Sequence, residues 1–458
     1  MEKRSVRFFV LLLAVAALAG CATGQVTGPA TPKAQSSAAL AQASALARQD
    51  ATLTGQARID NAREIERLLA GLDNATLSRD ASTLAADDPL YNFVGRALMR
   101  RGLPLPHGFD RSAWKFDARP PAESDGYRPP VKLAVLLPLS GELATAAAPV
   151  RDGLMAGYYA EKRRRPEVLF FDTAGTAGGA IAAYGRAVAA GADFVVGPLG
   201  RDEVSALFQD SARLSVPTLV LNRGTVITPA GNAAFSLSPE DDGLMAAEYL
   251  LDREHRNVLV ISGSDDNGRR AAQYFNNRFT ERGGKIANTL SVGDAPGDLS
   301  AALAAAAQGG ADGVFLAVKG STARLLTPQL ALAGLGGKTR VGTSQLLSGT
   351  GKAQDDVALD GIVFPTEVWT SRGLPGLPPA SVTGERLATA RGPAARLFAF
   401  GHDAWLLTAY LEKLAIGQNA DVKGATGQLQ LDGFGNVLRT PAWSTFRGGM
   451  AVPVNTGG

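Results

Sequence analysis

Val131-Lys132-Leu133-Ala134-Val135-Leu136-Leu137-Pro138-Leu139-Ser140-Gly141 is the stretch on which the fold turns. Residues 133–137 form an unbroken apolar run, which suits a strand buried on both faces rather than one with a wet side. Proline, serine and glycine then stop the run, and an alanine-rich helical pattern follows. The same unit recurs downstream. Residues 169–171, 194–196 and 219–221 continue a first series, and residues 258–261, 286–290 and 314–318 form a second. Strand, helix and strand at this spacing predict parallel βαβ units, hence a three-layer α/β sandwich. Two series of similar length predict two lobes with a cleft between them, lobe 1 over roughly 131–240 and lobe 2 over roughly 255–365. Residues 362–364, a helix near 403–414 and a hairpin-like stretch at 428–438 are left to complete both lobes up to residue 447. The chain is therefore expected to cross between lobes more than once, with 448–458 as a tail.

Upstream of Val131 the character changes. Lys3, Arg4 and Arg7 precede an apolar run from Phe8 to Ala19, and Leu18-Ala19-Gly20-Cys21 closes it. A basic start, a short apolar core and small residues before a cut site make a secretory signal over 1–20. The run is short for a membrane span. Cys21, the only cysteine in the chain, stands where a bacterial lipoprotein carries its lipid. An intramolecular disulfide is thereby excluded. Residues 21–52, rich in Ala, Gln, Ser and Thr, read as a flexible tether. Two helical faces follow, Ile65/Leu68/Leu69/Leu72 and Leu90/Phe93/Val94/Ala97/Leu98, giving a small helical unit over 53–102, with Asp88-Pro89 as a helix start. A Pro- and Gly-rich linker over 103–130 leads into the first lobe. Within the second half, 369–393 is rich in Pro, Gly and Arg and reads as a long irregular insertion, a place for partner contact.

Charge and motifs narrow the function. The formal charge of +3 falls to +1 once residues 1–20 leave, taking three basic groups and Glu2 with them. No basic stripe points to nucleic acid. His107, His255 and His402 are far apart in sequence without metal-ligand spacing, so no metal and no cofactor is expected. No Gly-x-Ser-x-Gly elbow occurs. The run 334–339 has Leu332 where a phosphate loop needs its first glycine. Ser112-Ala113-Trp114-Lys115 matches a Ser-x-x-Lys string, yet it lies in the linker without the companion motifs of penicillin-binding enzymes. Catalysis therefore has no constellation behind it.

Topology supplies the better site candidates. Ligands of open parallel sheets sit beyond the carboxyl ends of the strands. Those positions are Ser140, Gly141, Asp172, Thr173, Gly197, Pro198 and Asn222 in the first lobe, and Ser262, Asp265, Ser321 and Ser344 in the second. Short strand-to-helix loops need such residues for turns and caps in any case. Asp172, Asp265, Asp266 and Glu367 are the acids available to anchor a cationic group, and nothing in the sequence singles one out.

Several of these segments carry a resemblance. Residues 131–141, Val195-Val196-Gly197-Pro198 and the closing stretch 427–446, with Asp432-Gly433 and Trp443, resemble the first strand, third strand and terminal hairpin of type I periplasmic binding proteins. The Leu-Pro-Leu-Ser-Gly opening, Phe171-Asp172-Thr173 and Gly197-Pro198-Leu199, together with the lipoprotein signal, resemble the LppC/LpoA family of penicillin-binding protein activators. The resemblance covers about 131–447. It implies a two-lobed type I periplasmic-binding-protein-like fold preceded by a small helical segment. It also implies an outer-membrane lipoprotein facing the periplasm that stimulates the transpeptidase of a class A penicillin-binding protein. Longer family members carry a large helical-repeat domain ahead of this fold, and this chain reads as a short form of them. The alternative is a lipid-anchored receptor that hands a small ligand, such as an amino acid, from the cleft to a transporter.

Overall fold

The computed structural model describes residues 37–116, 119–347 and 352–454. Cys21 and the signal segment lie outside them. In the first lobe, β1 (Lys132–Leu137), β2 (Glu167–Asp172), β3 (Phe194–Val196), β4 (Thr218–Val220) and β5 (Ala233–Ala234) form a parallel sheet in the order β2-β1-β3-β4-β5. β1 is interior to the sheet, with Leu133 level with Val168 on one side and Phe194 on the other. Its side chains divide between two cores. Leu133, Val135 and Leu137 pack with Val150 and Leu154, and Ala134 and Leu136 pack with Ala183, Ala187 and Val204. A polar residue anywhere in this run would be buried without a partner, and each large apolar side chain contributes about 1.5–3 kcal/mol.

The second lobe begins at helix Pro239–Leu251 and contains β6 (Asn257–Gly263), β7 (Lys285–Val292), β8 (Gly313–Ala317), β9 (Thr339–Gly342) and β10 (Val363–Thr366). Val258 and Val260 face Phe275 and Phe279 on one side of the sheet, and Leu259 and Ile261 face Leu303 and Leu326 on the other. From β10 the chain returns to the first lobe, where helix Ala394–Ile416 lies along helix Ala144–Ala160. β11 (Val422–Lys423), β12 (Gln428–Leu431) and β13 (Val437–Thr440) form a small antiparallel sheet, with Val422, Leu429 and Val437 in the first lobe's core. The chain then enters the second sheet again as β14 (Ala442–Arg447) and β15 (Met450–Pro453), giving the order β15-β14-β10-β9-β8-β6-β7.

Four readings need correction. The second sheet is mixed, because β14 runs antiparallel to both β10 and β15. Residues 450–453, read as tail, are that edge strand: Gly448 and Gly449, at φ +58° and +73°, make the two-residue turn that folds it back. The tether reading fails from residue 38, where helix Ala38–Asp50 begins. Ser37 caps it by accepting from Leu40 N at 3.1 Å, Leu40, Ala43 and Ala47 bury one face, and alanine is the best helix former. Lastly, 369–393 is folded rather than irregular. It holds helices Val368–Arg372 and Ala380–Arg386 around Trp369, whose indole stacks on Phe398 and donates to Pro378 O at 2.8 Å. A smaller difference concerns Asp88, whose carboxylate accepts from Leu90 N at 2.8 Å in a turn, the helix itself being Tyr91–Arg100.

Helices Ala38–Asp50, Gly55–Ala70, Asn74–Ala81 and Tyr91–Arg100 share one core, with Ile65, Leu69, Phe93 and Leu98 inside it. This unit touches both lobes. Arg96 lies 4.3 Å over the Phe434 ring and 3.8 Å from Asp432, both between β12 and β13. Helix Gly55–Ala70 packs against helix Asp266–Glu281 of the second lobe. Burial pushes the Glu66 carboxyl upward, but Arg96, Arg100, Arg278 and Arg223 outweigh it and hold it below the usual carboxylate range. Leu103, Leu105 and Phe109 still pack in this helical core, and residues 119–130 then run along the first lobe, pinned by Arg128, which holds Glu412 with Nη1 at 2.6 and 2.8 Å from its two oxygens. Among the described residues, no helix is long and apolar enough to cross a membrane.

Candidate functional site

The strand ends of the first lobe are occupied with themselves. The Asp172 carboxylate accepts from Leu139 N at 2.9 Å, Ala174 N at 2.8 Å and Ser140 Oγ at 2.6 Å. The Ser140 hydroxyl and then the Ala174 amide hold its pKa below the usual range. Asp172 and Ser140 thus tie the β1 and β2 loops together, with Gly141 in the left-handed region at φ +79°. Thr173 is fully buried. Gly197 and Pro198 form a cis peptide, and the Gly197 Cα lies so close to Leu136 O that a side chain there would collide with it. Asn222 donates to Leu199 O at 2.9 Å and accepts from Arg223 N at 2.9 Å, bracing the β3 and β4 loops. It lines a crevice of about 330 Å³ whose opposite wall is the helical unit, through Ala62, Phe93 and Arg96.

Glu203, beside this loop cluster, caps Gly200 N at 2.6 Å. Burial raises its pKa, the Thr173 hydroxyl and the Gly200 amide oppose the rise, and the Asp172 charge adds to it. A raised folded-state pKa makes the ionised form the costly one, so stability is greatest below the unfolded value and falls as pH rises through the folded value. Glu203→Gln keeps an acceptor for Gly200 without the charge. It is expected to melt above the wild type at pH 7, and the difference should vanish near pH 4, as read by circular dichroism.

In the second lobe, Ser262 is buried at the end of β6 and Asp265 caps its helix by accepting from Gly268 N at 2.9 Å. Ser321 is exposed on the first turn of helix Gly320–Leu332. Ser344 is different. Its amide and hydroxyl both donate to Asp242 Oδ2, the amide at 2.9 Å, and its hydroxyl accepts from Arg396 Nη1. Arg396 in turn lies 3.1 Å from Glu367, and Arg439 lies 3.9 Å from Asp242. Burial pushes the Arg439 pKa down, with the Glu367 charge opposing. Two acids and two arginines thus meet below a cavity of about 870 Å³ that Ser344, Thr366, Glu367 and Arg396 line together with the 370–397 segment.

The structure therefore does not gather the predicted residues into one interlobe site. Of the strand-end residues Ser344 alone lines this cavity, Asn222 lines the crevice under the helical unit, and Ser140, Gly141, Asp172, Gly197 and Pro198 shape their own loops. Glu367, one of the four acids the sequence offers for a cationic group, lines the Ser344 cavity as well. Asp242, Arg396 and Arg439 carried no signal: Asp242 follows Ser238-Pro239-Glu240-Asp241, which reads as a helix cap with acids in the first turn, and the two arginines sit in ordinary amphipathic contexts.

Two lobes, each a sheet covered on both faces, with helices following the strands and crossings between the lobes, define a protein of the type I periplasmic-binding-protein-like class. The chain matches the LppC lipoprotein family over residues 127–309 and 297–449, and it belongs to that family. A penicillin-binding protein activator LpoA of Photobacterium profundum is 27% identical over 347 residues, which is 69% of this chain and 55% of that relative. The chain spans about half the length of the curated relatives it matches. Among solved structures, the LpoA (YraM) C-domain from Haemophilus influenzae, described as a regulator of PBP1A, superposes with a TM-score of 0.60 at 22% identity, over 70% of this chain and 99% of that one. An ABC transporter substrate-binding protein from Sphaerobacter thermophilus superposes at 0.53 with 17% identity, over 71% and 97%. At these identities the superpositions speak to the fold alone.

Proposed function

We propose that this chain is a regulatory lipoprotein, attached to the outer membrane through lipid on Cys21, that binds a class A penicillin-binding protein from the periplasmic side and stimulates its transpeptidase. Membership of the LppC family carries the reading, since relatives in it are named penicillin-binding protein activators. The physical requirement is modest. An activator that contacts only the active conformation of its partner shifts the balance toward it by the binding free energy realised there, about 1.4 kcal/mol for each tenfold shift. No catalytic group is needed for this.

The mature chain without its lipid, residues 22–458, is the form to test. It is expected to co-purify with a class A synthase and to raise the fraction of cross-linked peptide that the purified synthase makes from lipid-linked precursor. Absence of both binding and stimulation overturns the reading.

A further inference from the structure

Residues from 370–397, after β10, cover one side of the cavity of about 870 Å³, a volume suited to a small molecule. Ser344 and Thr366 contribute from beyond β9 and from β10, Ser444 from β14, and Ser381 and Arg391 from the covering segment. Glu367 is only 1% exposed, yet neither of its carboxylate oxygens has a hydrogen-bond partner among the described residues. Its neighbour Arg396 stands 3.1 Å away through Nε, but that N–H also lacks an aligned acceptor. The pair is therefore matched in charge and unsatisfied in hydrogen bonding, with two acceptors and one donor side by side on the cavity wall. A buried polar group left in that state is costly, and more so when charged.

Charge decides what could satisfy it. Asp242 and Glu367 are balanced by Arg396 and Arg439, and on the lining Lys319 is held by Asp294 while Glu385 and Arg391 offset each other in sign, so a cation or an anion entering alone would leave this site with a net charge. Asp242 Oδ1 and Arg439 Nε also lack partners but do not line the cavity; on its wall the missing interactions are a donor for Glu367 and an acceptor for Arg396 Nε, adjacent to each other. A neutral amide presents that pair on neighbouring atoms. We infer that the cavity binds an uncharged, amide-bearing small molecule, its N–H on Glu367 and its carbonyl on Arg396. The walls add hydroxyls, of which Ser344, Thr370, Ser371 and Ser444 already hold protein partners. An N-acetylated sugar and a capped peptide unit share this chemistry and differ in everything else.

Calorimetric titration of the 22–458 chain with N-acetylglucosamine and with N-acetylalanine methylamide tests the site and separates the two sources. Glucose, free L-alanine and methylammonium chloride serve as probes lacking the amide or carrying charge. At least one amide probe is expected to bind, and Glu367→Gln should weaken it by about tenfold or more, because a hydrogen bond to a charged acceptor is lost or inverted. A crystal of the wild type grown with the bound amide should place it against Glu367, a result independent of whether any variant folds. The inference is overturned if neither amide probe binds, if a charged probe binds in preference, or if the amide is found elsewhere on the chain. The outcome is independent of synthase stimulation, which can succeed or fail without it.

Discussion

Asp403→Ala is expected to destabilise the protein by about 4 kcal/mol, a large share of the roughly 5–15 kcal/mol that holds a domain together. Asp403 sits on helix Ala394–Ile416 with no exposed surface. Its carboxylate accepts from Ala425 N at 2.6 Å, Thr426 N at 2.7 Å and the Thr426 hydroxyl at 2.6 Å. Those donors belong to the turn between β11 and β12, where helical or strand partners are unavailable to them, so the aspartate is their acceptor. Truncation would leave all of them buried and unmade. Asp403→Asn is nearly isosteric, but its NH₂ must face one of these donors, so it should recover little. Urea unfolding followed by near-ultraviolet circular dichroism measures both, and a midpoint like that of the wild type would refute the assignment.

Gly401→Val should cost about 3 kcal/mol or more, for a reason of shape rather than polarity. Helices Ala144–Ala160 and Ala394–Ile416 approach so closely that a Cβ on Gly401 would run into Val150 O, and one on Gly153 would run into Phe398 O. The obstacles are backbone atoms, which cannot rotate aside, so the helices must part and open the core around Val150, Leu154 and Ala404. Gly178→Ala is the matching control: it lies in helix Ala177–Ala189, and an added Cβ there meets nothing within 4 Å. It should be neutral or slightly stabilising, since alanine narrows the unfolded ensemble. Thermal melts of the two variants should therefore move far apart.

The legible part of this fold was its periodicity. Runs such as 133–137 and 258–261 announce buried strands because both faces of each sheet are covered, so local composition mirrors tertiary burial. Helix Ala38–Asp50 is illegible because alanine and leucine at wide spacing look like linker until the partner face, Ile65 and Leu69, is in place. The site was less legible still. Ser344 binds Asp242 across 102 residues and Arg396 across 52, and no window of sequence contains such a cluster. The surroundings of Trp369 are opaque for a related reason: prolines and glycines around it signal turns, whereas the compact cluster with Leu377, Ala395 and Phe398 exists only once helix Ala394–Ile416 is present.

The helical unit's simultaneous grip on Asp432 and Phe434 of one lobe and on helix Asp266–Glu281 of the other has a consequence for recognition. A two-lobed body left free to swing must surrender that swing whenever a partner grasps both halves, and the loss is subtracted from the affinity. Here the helical unit's contacts with both lobes oppose that swing within the molecule. A large protein laid across both lobes would meet a surface close to its final shape, and association would be governed by how well the two faces fit rather than by waiting for the lobes to find their angle.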